Sequence, residues 1–255
     1  MAYALTENLL ILPSAEELPD SDDTPVDNEL QTFVPQLLHD MLSQYWSERT
    51  DWLFGINMGI YHTTGENSRK PIVPDGFLCL GVEPPTEPQR RLSYIVWKEN
   101  QIVPSLTLEC VSQTYGGEYD QKMVDYARLG VLYYVIYNPH HYQRDKHAPL
   151  EIYRLINGQY MPCVGQPLFM PEIGLGIGRE KGTYRKWQRE WLYWYQKDRT
   201  RLLTAEEHAV QEHQRTIQER QQKEQALQKA EQEHQRAERL AQLLREQGID
   251  PDKFN

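Results

Sequence analysis

The spacing of apolar positions divides the chain into three zones. In the first, Leu38, Met41, Leu42, Tyr45 and Trp46 recur at helical intervals. They predict one apolar stripe on a helix from about Pro35 to Glu48. Pro35 suits the first helical position, where its missing N–H costs nothing. The second zone reads as strands: Trp52–Tyr61, weakened by its glycines; Ile72–Val82, with Pro74-Asp75-Gly76 near its start; and Leu106–Val111, interrupted by Glu109. Leu132–Tyr137 follows, stopped by Pro139, and then Glu151–Ile156 turns through Asn157-Gly158 into Gln159–Val164. Asn-Gly between two alternating runs is a hairpin signal. A helix over about Glu118 to Leu129 lies between the third and fourth strands, with Gly117 before it and Gly130 at its C-terminal cap. Strand, helix, strand in that order predicts a crossover within a mixed α/β sheet.

The third zone follows Pro171. Trp191–Tyr195 reads as a strand, Lys197–Thr200 as a turn and Arg201–Leu203 as a return strand. Thr204-Ala205-Glu206-Glu207 has the form of a capping box. From there to Gln247 there is no Pro or Gly, and Ala226, Ala230, Ala237, Ala241 and Leu244 make a thin seam. The expectation is a long, marginal helix that forms a coiled coil with a partner helix. Gly248 and Pro251 end it.

Composition narrows the class. At 255 residues, with 39% hydrophobic and 25% charged positions, the chain is long enough for one large domain plus an extension. The longest apolar run, Val131 to Tyr137, is far short of the roughly 20 residues that span a bilayer. The N-terminus lacks the basic region of a signal peptide. Cys79, Cys110 and Cys163 are widely spaced, with no Cys-x-x-Cys. They read as small buried hydrophobes in a reducing cytoplasm rather than as a zinc site.

The net charge of −10 is unevenly spread. Glu7, Glu16, Glu17, Asp20, Asp22, Asp23, Asp27 and Glu29 all precede residue 31, a segment with no Lys or Arg. Removing those 8 of the 37 carboxylates leaves 29 against 27 basic residues, so the remainder is nearly neutral. The acidic total therefore excludes only the lead-in over residues 1–30 from lying along a phosphate backbone.

Two carboxylates and a lysine carry the candidate chemistry. Asp75 opens a strand. Glu109 sits within Leu106-Thr107-Leu108-Glu109-Cys110-Val111, where alternation places it with Thr107 and Val111, opposite Leu108 and Cys110. Buried, it needs a cation or donors; the alternative is a Glu on a solvated sheet edge. Lys122 borders the stripe of Tyr119, Met123, Tyr126 and Leu129. It either returns over the end of the Glu109 strand, where open sheets bind ligands, or forms an exposed i,i+4 pair with Glu118 worth about 0.2–0.5 kcal/mol.

Other features weigh less. His140, His141 and His147 lie in a polar loop and read as solvated. Between Arg179 and Arg201, Arg185, Lys186 and Arg189 interleave with Tyr184, Trp187, Trp191 and Trp194. That pattern fits nucleic-acid stacking and an aromatic sheet packed on the core equally well. Gly174-Leu175-Gly176-Ile177-Gly178 lacks the ending and spacing of a phosphate loop.

Pro74-Asp75, Leu108-Glu109-Cys110-Val111-Ser112, Lys122, Tyr126-Ala127-Arg128-Leu129-Gly130-Val131 and Tyr133-Tyr134-Val135-Ile136-Tyr137-Asn138-Pro139 together resemble the Uma-two family. These are restriction-endonuclease-like proteins of the PD-(D/E)XK nuclease superfamily. The resemblance spans roughly residues 12–178 and is most specific over 74–139. The superfamily commonly places Glu-x-Lys on one strand, whereas this chain has Glu109-Cys110-Val111 and takes its lysine, Lys122, from the next helix, as the family does. Two departures are mild: Glu118 replaces the family's usual Asp, and Ser112-Gln113-Thr114 replaces Ser-Pro-Ser.

The resemblance implies a restriction-endonuclease-like mixed sheet flanked by helices over residues 31–203, a charged helix over 204–247 and a tail over 248–255. It implies Mg2+-dependent hydrolysis of DNA, with Mn2+ as the alternative ion. Asp75 and Glu109 would bind the cation, joined by the main-chain carbonyl of Cys110. Lys122 would orient the attacking water or stabilise developing charge. Glu118 would hold Lys122 or polarise a water, and Gln113 reads as a polar loop residue. The partners expected are DNA and, through the C-terminal helix, a second copy of the chain, with no membrane. A catalytically silent nuclease-fold scaffold is the alternative.

Overall fold

The computed structural model describes residues 12–13, 17–18, 29–65, 67–84, 91–114 and 116–246. Most of the acidic lead-in and the Gly248 stop lie outside them. The first helix, α1 (Glu29–Tyr45), begins six residues earlier than the pattern predicts and carries Pro35 inside it. A proline there removes one backbone hydrogen bond. Burial of Leu30, Val34, Leu37, Leu38, Met41 and Leu42 offsets that loss, at about 1.5–3 kcal/mol for each fully buried large aliphatic side chain.

The Trp52–Tyr61 run breaks into β1 (Trp52–Ile56) and β2 (Ile60–Tyr61), because Asn57 turns to a φ of 47°. Next come β3 (Gly76–Leu80), β4 (Tyr94–Ile95), β5 (Leu106–Cys110), α2 (Gln121–Leu129) and β6 (Tyr133–Tyr137). A four-residue helix, α3 (Tyr142–Asp145), precedes β7 (Leu150–Ile156) and β8 (Gln159–Pro162). The β7–β8 turn is the expected Asn157-Gly158, both residues at positive φ. Six strands pair in the order β1-β3-β5-β6-β7-β8. Only β5 and β6 are parallel in this sheet, joined by α2 as the expected crossover.

Three further strands, β9 (Leu168–Met170), β10 (Leu175–Tyr184) and β11 (Trp187–Tyr195), form an antiparallel second sheet. The predicted Trp191–Tyr195 strand is the inner half of β11. Its outer half and the end of β10 escape the pattern because Arg185 and Lys186 form the two-residue turn at φ 50° and 68°. Neither residue type signals a left-handed turn. The predicted return strand over Arg201–Leu203 reduces to one bridge between Arg201 and Tyr195.

The large sheet is buried on both faces. Leu106, Leu108 and Cys110 pack with α1 and with Trp191 and Trp194 of β11. On the opposite face, Phe77, Val111, Tyr134 and Ile136 pack with Tyr126 and Leu129 of α2. Gly130 ends α2 at φ 94°, its N–H donating to the carbonyls of Tyr126 and Ala127.

The chain divides into two compact units at Thr204. The second contains α4 (Ala205–Glu246), 42 residues with none of them buried. Its side chains pair locally, as Arg215 does with Glu212 and Glu219. No described helix is long and apolar enough to cross a membrane.

Candidate active site

Asp75 immediately precedes β3, whose antiparallel pairing sets Gly76 opposite Leu108 of β5. That register brings the Asp75 carboxylate to the end of β5, where its Oδ2 accepts the Cys110 N–H at 2.6 Å. A Cβ on Gly76 would come within 3.2 Å of Pro35 and Phe54, so glycine lets α1 close on the start of β3. In an extended strand a residue's N–H and C=O project to the same side. The Cys110 carbonyl therefore faces the same side as its N–H, toward β3.

Glu109 projects to the face of β5 that α2 covers, the face to which the β3–β5 register also directs Asp75. Lys122 and Tyr126, one helical turn apart, each take one of its oxygens. The Lys122 Nζ lies 2.8 Å from Oε2, and the Tyr126 hydroxyl donates to Oε1 at 2.6 Å. The crossover is what turns these two side chains onto the strand. Glu118 lies ahead of α2 rather than in it, and its Oε2 accepts the Gly116 N–H at 3.0 Å.

Asp75, Glu109 and Glu118 are the three buried carboxylates among the described residues. Lys122 is the cation placed among them, its side chain 29% exposed. Burial, then the charge of Glu109, pushes Asp75 well above the ordinary carboxylate range, outweighing the Cys110 N–H. Burial also raises Glu109, against the opposing pull of Lys122 and Tyr126. Burial alone would lower Lys122, but the adjoining Glu109 carboxylate wins and holds its ammonium above the usual value. The site is thus a buried concentration of negative charge, balanced in part.

The candidates from the sequence sort cleanly. Asp75, Glu109, Cys110 and Lys122 come together. The solvated-edge alternative for Glu109 fails, since it is 1% exposed. The ion pair of Lys122 is with Glu109 rather than with Glu118. Gln113 is an exposed loop residue whose carbonyl accepts from Arg144. His147 stacks on Tyr119 at 3.6 Å, and His140 meets Arg189. Among the described residues, no three His, Cys, Asp or Glu side chains group as a metal shell. Trp191 and Trp194 are fully buried core residues, so they are not a stacking surface. The sequence pattern missed the hydroxyl of Tyr126, which counted only as part of an apolar stripe. Its position four residues after Lys122 is the one signal present. Also missed was Asn138, buried at the end of β6, whose amide donates to Tyr119 and Asp145.

Comparison with known proteins adds three findings. No curated protein matches the sequence. One solved structure is similar, a putative nuclease belonging to DUF820 from Anabaena variabilis ATCC 29413. It has 11% identity and a TM-score of 0.41, covering 58% of this chain and 74% of the other. The profile of the Uma2 family, described as "Putative restriction endonuclease", matches residues 23–173, more than half of the sequence. The chain therefore belongs to the Uma2 family.

Proposed function

We propose that this protein is a divalent-metal-dependent endonuclease that hydrolyses phosphodiester bonds of DNA. The observation that carries the reading is that all three buried carboxylates among the described residues act on one lysine: Glu109 pairs with it, and the charges of Asp75 and Glu118 reach it. Burying charge without compensation is costly, and three acids against one ammonium leave a deficit that a cation would fill. Magnesium takes oxygen ligands and retains waters, so two carboxylates suffice. The donor set fits: Asp75 and Glu109 would hold the ion, with the Cys110 carbonyl beside Asp75 as a neutral third oxygen.

A hard divalent cation supplies charge neutralisation on the phosphate and a more acidic attacking water. The protein supplies the rest. Lys122 reaches solvent at its exposed edge, placed to orient that water or to stabilise charge developing on the phosphate. Glu118, through its charge, helps keep Lys122 protonated. DNA as substrate rests on the family, whose description is that of restriction endonucleases. Association of copies through α4 belongs to the same reading. A 42-residue helix with no buried residue gains tertiary stabilisation only from a partner. Three free cysteines fit a reducing cytoplasm.

Single-turnover cleavage of supercoiled plasmid and of single-stranded DNA with Mg2+ or Mn2+ tests the reading. Wild type should cut, and Glu109→Gln and Lys122→Ala should each lose about 100-fold or more. Equal behaviour of all three proteins would defeat it.

A further inference from the structure

Each oxygen of Glu109 has a partner within the protein. One oxygen carries Lys122 and the other carries Tyr126. The two contacts differ in kind. Lys122 is a flexible ammonium 29% exposed at its side chain. Tyr126 is fully buried. Its ring packs against Tyr134 at 5.0 Å, and the Tyr134 hydroxyl in turn donates to the Glu118 carbonyl at 2.7 Å. Beyond it, Tyr160 packs on Tyr134 and donates to the carbonyl of Val131, just past the end of α2. The Tyr126 O–H is thus held on Glu109 Oε1 by a frame fixed at both ends of the helix.

We infer that Tyr126 is a positioning residue that locks Oε1 of Glu109 and leaves Oε2 as the one oxygen offered to a cation, in exchange for Lys122. This rests on the metal reading above. The lock does two things. It fixes the carboxylate plane, so no ordering of Glu109 is needed when the ion arrives. It also enforces one-oxygen coordination, which suits a small cation that keeps waters in its shell. A hydrogen bond from a buried hydroxyl to a ligating carboxylate is the type of outer contact whose loss lowers metal affinity by roughly 10–100-fold.

The test is calorimetric titration of the full-length protein with Mn2+, comparing wild type, Glu109→Gln, Tyr126→Phe and Tyr134→Phe. Tyr126→Phe keeps the ring and removes one hydroxyl. It should weaken Mn2+ binding by about 10-fold or more and lower kcat for plasmid cleavage with KM for DNA unchanged. Tyr134→Phe removes the frame's tie to the Glu118 carbonyl but keeps the ring that packs on Tyr126, so it should weaken Mn2+ binding by less than Tyr126→Phe does. If Tyr126→Phe binds Mn2+ as wild type does, the lock is overturned and the metal site stands. If wild type and Glu109→Gln take up Mn2+ alike, the metal reading itself is overturned, and the lock with it. Infrared difference spectra of wild type on Mn2+ addition read the same feature without a Tyr126 variant. A carboxylate band absent from Glu109→Gln should show the wide splitting of one-oxygen coordination; the narrow splitting of two-oxygen coordination would overturn the lock.

Discussion

The Asp75 carboxylate accepts the Cys110 N–H at 2.6 Å, joining residues 35 positions apart. This bond ties the entrance of β3 to the last residue of β5. It sets an acid from one strand beside the main chain that follows Glu109 on the next. The bond favours the ionised carboxylate, yet burial and the Glu109 charge push Asp75 the other way more strongly. Asp75 is therefore held in place at a cost to stability.

That cost has a sign that can be measured. Asp75 keeps its proton to a higher pH in the folded chain than its ordinary value of 3.8, and Glu109 is raised in the same direction from 4.5. Between the unfolded and folded values the folded state binds more protons, so stability falls as pH rises through that window. Asp75→Asn keeps an oxygen for the Cys110 N–H and removes the charge. At neutral pH it should melt higher than wild type, by about 3 °C for each 1 kcal/mol relieved, and its melting temperature should fall less between about pH 4 and pH 7. Cleavage should be abolished. Thermal melts across that pH range, with Mg2+ raising the wild-type value alone, check all three outcomes.

Lys122→Met leaves Glu109 buried with Tyr126 as its remaining donor. Losing one partner of a buried pair costs about 3–5 kcal/mol. Because the lysine is partly exposed, the lower end of that range or somewhat less, about 2–3 kcal/mol, is expected in urea unfolding. Pairing it with Glu109→Gln in one chain should recover most of that loss. Additive losses in the double variant would mean that the two side chains do not act as a pair.

The fold was legible where local chemistry and tertiary context agree. Asn157-Gly158 marked its hairpin, Gly130 its cap, and the β5–α2–β6 order its crossover. At the site, the residue types Asp75, Glu109 and Lys122 were readable, because an acid inside an apolar strand is locally conspicuous. Their connections were not. Lys122 pairs with Glu109 and not with Glu118 where α2 starts only at Gln121 and leaves Glu118 outside the helix, a start that the sequence pattern puts at Glu118. The bond from Tyr126 to Glu109 was hidden because a tyrosine on an apolar stripe reads as packing. The helix start at Glu29 was hidden because Pro35 reads as a beginning, and burial of the α1 stripe from Leu30 to Leu42 is what lets it lie inside.

The glycine run in β10 is a packing device. A Cβ on Gly178 would lie 2.9 Å from Pro167 Cα and 3.2 Å from the Tyr195 ring. Gly178→Ala must push backbone aside, which costs about 1–3 kcal/mol. The melting temperature should drop by several degrees while Mn2+ affinity in the folded protein is unchanged. A normal melting temperature would show that β9 and β10 have slack.

Ending the chain after Thr204 removes α4, none of whose residues is buried. The remaining unit should keep its melting temperature and its DNA cleavage, and light scattering should report a smaller assembly than the full chain forms. An unchanged number of copies would refute association through α4.

The most direct measurement is calorimetric titration of Mn2+ into wild type and into Asp75→Ala at neutral pH. One saturable site in wild type that disappears in Asp75→Ala is the predicted result. Binding of equal strength in both proteins, or heat of dilution alone in wild type, would contradict the assignment of Asp75 and Glu109 to a cation.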